Sequence, residues 1–210
     1  MPDAFDLSTG TTLDPSAAPI QNYATYPSLV DRTVFITGGA DGIGSAAVEH
    51  FARQGSQVAF ADINQAKAGE TIERCSAFTP RHVPVFCHVD LVDIAALQAA
   101  VAATQYDFGS LQVLVNNAAN DDRHRWDEMT PEYWDDRINV NLRHYFFAIQ
   151  AVAPAMLEAR HGSIVNVGSS SYLRKEDFFP GYAIAKSGVE GITRTLAKTF
   201  GPQGVRVNTV

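Results

Sequence analysis

The sequence predicts an α/β fold, a doubly wound parallel sheet in a single domain. Three observations carry that prediction. From Arg32 onward, short apolar runs rich in β-branched residues alternate with longer stretches whose apolar residues recur at helical spacing. Right-handed crossovers between parallel strands lay helices over both faces of a sheet, so its strands read as unbroken apolar runs. A glycine-rich turn joins the first run to the first helical stretch. Finally, 210 residues with 46% hydrophobic content and no internal repeat suit one substantial core.

The elements follow in order. Thr33-Val-Phe-Ile-Thr37 is the first strand, and Ile43, Ala47 and Phe51 then mark a helix that Gly55 ends. Residues 57–62 form the second strand, with further strands at 83–89, 111–116, 163–167 and 205–210. Helical patterns separate them over 64–77, 93–106, 131–160 and 180–200. Pro131 after Thr130 suits a helix start, Gly162 follows a helix end, and Pro154 predicts a kink in the longest helix. Residues 1–30, with Pro2, Pro15, Pro19 and Pro27 among weakly apolar neighbours, predict a flexible N-terminal arm, in which Tyr23 and Tyr26 could pack on the domain or on a neighbouring subunit. The chemistry then belongs to residues 31–210.

Bulk properties exclude several classes of partner. A net charge of -7 and a pI near 5.3 leave no electrostatic footprint for nucleic acid, and no basic run suggests an anionic membrane surface. Cys75 and Cys87 are too few for a disulfide framework, and neither they nor His82, His88, His124 and His144 have metal-ligand spacing. No stretch approaches eighteen consecutive apolar residues, and Asp3 and Asp6 stand where a secretory signal needs positive charge. These features point to a cytoplasmic protein with a small-molecule substrate and no metal.

Between the first strand and first helix lies Thr37-Gly-Gly-Ala-Asp-Gly-Ile-Gly44, small enough for backbone amides to approach a pyrophosphate at a helix N-terminus. Its glycines at 38, 42 and 44 depart from the common GxGxxG order, and a purely structural turn is the alternative. Asp62 closes the second strand, where a carboxylate accepts hydrogen bonds from ribose hydroxyls and repels a 2'-phosphate. No Lys or Arg lies in the turn or directly after Asp62, so NAD is expected over NADP. The competing role for Asp62 is to cap the next helix.

Tyr182-Ala-Ile-Ala-Lys186 places a phenol and an ammonium four residues apart on one helix face, close enough for the charge to favour the phenolate. Ser169 lies upstream and Asn141 earlier still. Together with TGGADGIG at 37–44, Asp62, His88-Val-Asp90, Asn116-Asn-Ala-Ala119 and Asn141 in Val-Asn-Leu, this order resembles the short-chain dehydrogenase/reductase family over about residues 29–210.

The resemblance implies a Rossmann-like NAD(P)-dependent oxidoreductase in which hydride moves between a nicotinamide and a hydroxyl or carbonyl carbon. It makes Tyr182 the acid/base and gives Lys186 the tasks of lowering its pKa and binding the nicotinamide ribose. Ser169 would hydrogen-bond the substrate oxygen, with Ser170 or Ser171 as alternatives, and Asn141 would support a water joining Lys186 to solvent. Cofactor contacts are implied at Gly38, Asp41, Gly42, Ile43, Gly44, Asp62, Asp90, Leu91, Asn117 and Ala118, besides Tyr182 and Lys186, and Asn116 with Ala118 would border the cleft. A homo-oligomer, tetramer or dimer, is implied through the helices around Asn141 and Tyr182. Two departures stand out: Ala119 occupies a usual glycine position, and the chain stops at Val210, before the family's substrate loop and last strand, as a fragment or a chain short of its substrate lid would.

Asn120-Asp-Asp-Arg-His-Arg125 follows the fourth strand, dense in donors and acceptors, and resembles a subset of the family that oxidises aldoses at the anomeric carbon to lactones. Such a charged loop also suits a solvated surface. Phe178, Phe179 and Tyr172 would instead admit an apolar ketone, which makes a 3-oxoacyl thioester reductase or a general secondary-alcohol dehydrogenase the alternative enzymes. A catalytically silent nucleotide-binding regulator is the alternative of another class.

Overall fold

The computed structural model of the protein describes residues 24–210. Tyr23 and most of the expected N-terminal arm lie outside the described residues. Six strands, β1 (Thr33–Thr37), β2 (Gln57–Asp62), β3 (Val85–His88), β4 (Val113–Asn116), β5 (Gly162–Asn166) and β6 (Val205–Thr209), form one sheet in the order β3-β2-β1-β4-β5-β6. Every pairing is parallel. The order reverses between β1 and β4, which opens a crevice beyond their carboxyl ends.

Alternation along the strands supplies both faces. In β1 all five residues are buried, Phe35 facing one core with Leu97, Leu114, Ile149 and Ile164, while Val34 and Ile36 face the other with Val48, Val58 and Phe60. Helices α1 (Gly42–Arg53) and α2 (Gln65–Ser76) cover the second face, α3 (Ile94–Phe108) and α5 (His144–Glu158) the first. Side chains fix the helix starts: Asn64 caps α2 through the Lys67 amide, Asp93 caps α3 through Ala96, and Thr130 caps α4 (Pro131–Ile138) through Tyr133. Two further helices, α6 (Ser171–Arg174) and α7 (Pro180–Phe200), lie between β5 and β6.

Three departures from the sequence reading have physical causes. β3 begins at Val85 rather than at 83, because Pro84 has no N–H to give the ladder. The stretch 131–160 is helical as far as Glu158 but passes through a π-helical turn, Asn139–Arg143, that divides α4 from α5, and Pro154 sits inside α5. Residues 24–30, placed in the arm by composition, are tied to the end of α1, where Tyr26 N–H donates to Gln54 Oε1 at 2.8 Å and Gln54 Nε2 to the Ala24 carbonyl at 3.0 Å. Among the described residues no helix is long and apolar enough to cross a membrane, and no group of three or more His, Cys, Asp or Glu side chains could hold a metal ion.

Candidate active site

The turn after β1 is shaped by close approach. Gly38 has φ +69°, and a Cβ there would lie 2.7 Å from Ala118 Cα; at Gly44 it would lie 1.8 Å from the Gly38 carbonyl oxygen. Asn117 fastens this turn to the end of β4: its Nδ2 donates to the Gly38 carbonyl at 2.9 Å and the Thr37 carbonyl at 3.2 Å, while its N–H donates to Thr37 Oγ1 at 3.0 Å. The backbone is thereby held open over the N-terminus of α1, where unpaired amides attract an anion.

Asp62 reaches the same turn. Oδ2 accepts from the Ala40 N–H at 3.0 Å and Oδ1 from the Asn64 N–H at 2.9 Å. Each carboxylate oxygen keeps capacity for a second bond. The cap of α2 is Asn64, so the capping role weighed for Asp62 falls to its neighbour.

A cleft of about 710 Å³ opens beside these groups. Of the residues expected to meet a cofactor, Gly38, Asp41, Gly42, Ile43, Asp62, Asp90, Leu91, Asn117 and Ala118 all line it. Gly44 is buried beneath the turn and does not. Asn116 departs from its expected place: it is fully buried with its amide on Asn166 Oδ1 at 2.9 Å, because its side chain leaves β4 toward the core. Among its lining are the carboxylates of Asp41, Asp62, Asp90 and Asp121, with no Lys or Arg.

Ser169, Tyr182 and Lys186 do not line that cleft, although the last two are also expected to meet the cofactor. Lys186 Nζ donates to the Tyr145 hydroxyl at 2.8 Å and the Val167 carbonyl at 2.7 Å, and the residue is 1% exposed. Burial pushes its pKa down to about 8. Tyr182 is half-buried, with the Lys186 ammonium 5.6 Å from its ring centroid. Its phenol is held above the ordinary value, chiefly by burial; the Ser169 hydroxyl pulls it down, and the charges of Asp121 and Glu176 push it up.

The Lys186 ammonium makes its two hydrogen bonds to the Tyr145 hydroxyl and the Val167 carbonyl rather than to the Tyr182 hydroxyl, and burial outweighs the other influences on the phenol. Ser169 Oγ donates to Ser171 Oγ at 3.0 Å and accepts from the Ser171 N–H at 3.1 Å. That arrangement leaves Ser169, not Ser171, beside Tyr182.

Asn141 lies in the π-helical turn, fully buried. Its Nδ2 donates to the Arg137 carbonyl at 3.0 Å, and its Oδ1 accepts from the Asn120 N–H at 2.7 Å. The amide thus anchors the loop after β4 at the cleft wall. Sequence reasoning missed Tyr145, the phenol under Lys186, and His144, whose Nε2 donates to the Ala118 carbonyl at 3.1 Å. The available signal was spacing: Tyr145 follows Asn141 by one helical turn.

Residues 32–210 match the family model of short chain dehydrogenase. The chain belongs to the short-chain dehydrogenases. It is an oxidoreductase of CH–OH groups, in a family that works on small molecules with a nicotinamide cofactor. A "Probable galactose dehydrogenase" of Rhizobium meliloti is 45% identical over 185 residues, 88% of this chain and 72% of that protein. A D-xylose 1-dehydrogenase of Caulobacter vibrioides is 46% identical over 188 residues, 89% and 73% respectively. The crystal structure of a 3-oxoacyl-[acyl-carrier protein] reductase with bound NAD from Brucella melitensis superposes with a TM-score of 0.79 at 33% identity, covering 90% of this chain and 75% of that one.

Proposed function

We propose that this short-chain dehydrogenase oxidises an aldose at C1 to the lactone, with NAD as its cofactor, and that residues 31–210 form the cofactor-binding and catalytic domain. The observation that carries the substrate reading is the identity of 45% and 46% with two proteins named for sugar oxidation, over nearly the whole matched chain. The loop after β4 supports it by bringing Asn120 and Asp121 to the cleft wall, because discrimination among sugars needs polar groups that go unpaired with the wrong ligand. An apolar ketone site at Phe178 and Phe179 is disfavoured by the Arg123 guanidinium, which lies over both rings at 4.7 and 4.6 Å.

In this reading the N-terminus of α1, beneath the glycine turn, takes the pyrophosphate, Asp62 accepts from the adenosine ribose, and Asp90 and Leu91 flank the adenine. A cleft lined by four carboxylates and no cation repels a 2'-phosphate, which supports NAD over NADP. When bound, the nicotinamide supplies the hydride acceptor. Tyr182 Oη takes the C1 hydroxyl proton, Ser169 Oγ turns from Ser171 to hold the same oxygen, and Lys186 offers its ammonium to the nicotinamide ribose. Since the phenol rests protonated, oxidation requires it to lose its proton first, and the rate should climb as pH is raised.

The test is an aldose panel with NAD and NADP, read as reduced cofactor. Galactose or xylose should reduce NAD roughly 10-fold or more faster than NADP, and Tyr182→Phe should lower turnover by about 10²- to 10⁴-fold. A wild type that reduces NAD with no aldose overturns the substrate class, and turnover of acyl thioesters would favour the reductase. We also propose a homo-oligomer working in the cytosol, consistent with the free thiols of Cys75 and Cys87.

A further inference from the structure

His124 is fastened at four points, one of them the Tyr133 hydroxyl, 3.3 Å from its Nδ1. Its main-chain N–H donates to the Phe178 carbonyl at 2.9 Å, its Nδ1 lies 2.9 Å from the Asp122 carbonyl, and the Gly181 N–H donates to its Nε2 at 3.0 Å. A backbone N–H can only donate, so Nε2 carries no proton and Nδ1 does. The ring is half-buried, edge-on to Tyr133 at 5.0 Å between centroids.

Gly181 is the second residue of α7, so its N–H has no acceptor within the helix. Phe179, at the N-cap, provides no side-chain cap. His124 supplies that acceptor from another element, one residue before Tyr182. The contact has no slack, for a Cβ on Gly181 would lie 3.1 Å from Arg137 Cβ and 3.3 Å from His124 Nε2.

The other end of the loop is tied as well, where the Asn120 N–H meets Asn141 Oδ1 at 2.7 Å. Between the two ties lies Asp121, which lines the cleft and whose charge is felt by Tyr182. Loop and helix are thus one unit around the space between Tyr182 and the cleft wall.

We propose that His124 is a positioning residue that sets the distance between Tyr182 and the Asn120–Asp121 wall, and through it the recognition of the sugar hydroxyls; this rests on the aldose reading above. The glycine turn, Asp62 and Leu91 belong to the cofactor side of the cleft and take no part in the tie. Loss of the acceptor at Nε2 therefore weakens sugar binding and leaves NAD binding alone.

The experiment compares wild type, His124→Gln and His124→Leu, measuring kcat and KM for aldose and for NAD and the hydrogen exchange of the Gly181 amide. Gln keeps an acceptor near the Nε2 position, whereas Leu keeps only bulk. His124→Leu should raise the aldose KM about 10- to 100-fold, leave the NAD KM unchanged and speed Gly181 exchange, and His124→Gln should recover most of each loss. The proposal is overturned if Leu and Gln behave alike, or if aldose and NAD constants move together. Should the wild type oxidise no aldose, the functional reading fails on its own account, and Gly181 exchange in the two variants still decides whether His124 holds α7.

Discussion

Lys186 keeps its ammonium where water cannot reach it, with only the Tyr145 hydroxyl and the Val167 carbonyl to replace solvation. In the unfolded chain it holds its proton to the usual 10.5, in the folded chain to about 8. Below pH 8 the side chain is charged in both states, and burial costs roughly 3 kcal/mol at ~1.4 kcal/mol per pH unit. Between pH 8 and 10.5 the folded form releases its proton first, so that cost fades as pH rises. Lys186→Met should accordingly stabilise the fold at pH 7 by about 1–3 kcal/mol, with the gain shrinking above pH 8, while activity is lost. Thermal melts at pH 7, 9 and 10.5 check this, and a Tm at pH 7 no higher than wild type would refute it. The Tyr182–Lys186 pair was legible in the sequence because both ends lie one helical turn apart. Tyr145 was not, since an aromatic on the buried face of an apolar helix reads as core until Lys186, 41 residues on, is seen to point at its oxygen.

At the scale of elements, the π-helical turn at Asn139–Arg143 sets which way Asn141, His144 and Tyr145 face. One residue extra in a turn has no compositional mark, so 131–160 read as one helix; the parallel strands, by contrast, were legible because burial on both faces leaves nothing but apolar residues to read. The turn also carries His144 into full burial, where its pKa is pushed down to about 4, mostly by loss of solvation. As pH falls below the ordinary 6.5, the unfolded chain takes up a proton that the folded chain refuses until about 4. Stability present above pH 6.5 is thus lost across that window, by roughly 3 kcal/mol. Urea midpoints at pH 7, 5.5 and 4 should fall in wild type, and the part of that fall due to this ring should vanish in His144→Gln. A midpoint fall as steep in the variant as in wild type would sink the assignment.

For the molecule as a whole, the strand order places the glycine turn, Asp62 and Asn117 at one crevice, and that much followed from alternating strands and helices. What alternation leaves open is the outer surface of the helices. On one side α5 meets α3 and the sheet; on another, Phe146, Ile149, Ala153, Pro154 and Leu157 form an apolar groove with Leu196 and Phe200 of α7, about 240 Å³ in volume. Phe146 is 42% exposed there, an arrangement that suits a self-complementary contact with a second copy, since one two-fold axis would cover the patch on both. Light scattering at micromolar concentration should then give a multiple of the 22.8 kDa chain mass, and Phe146→Glu should move it toward the monomer with little loss of helix content, because the ring it replaces is partly exposed. The same two helices carry Tyr145, Tyr182 and Lys186, so separation of the copies frees the elements on which the phenol and ammonium are mounted, and specific activity should fall on dilution through the dissociation range. A wild type that is monomeric throughout, at constant specific activity, would refute both halves of this reading.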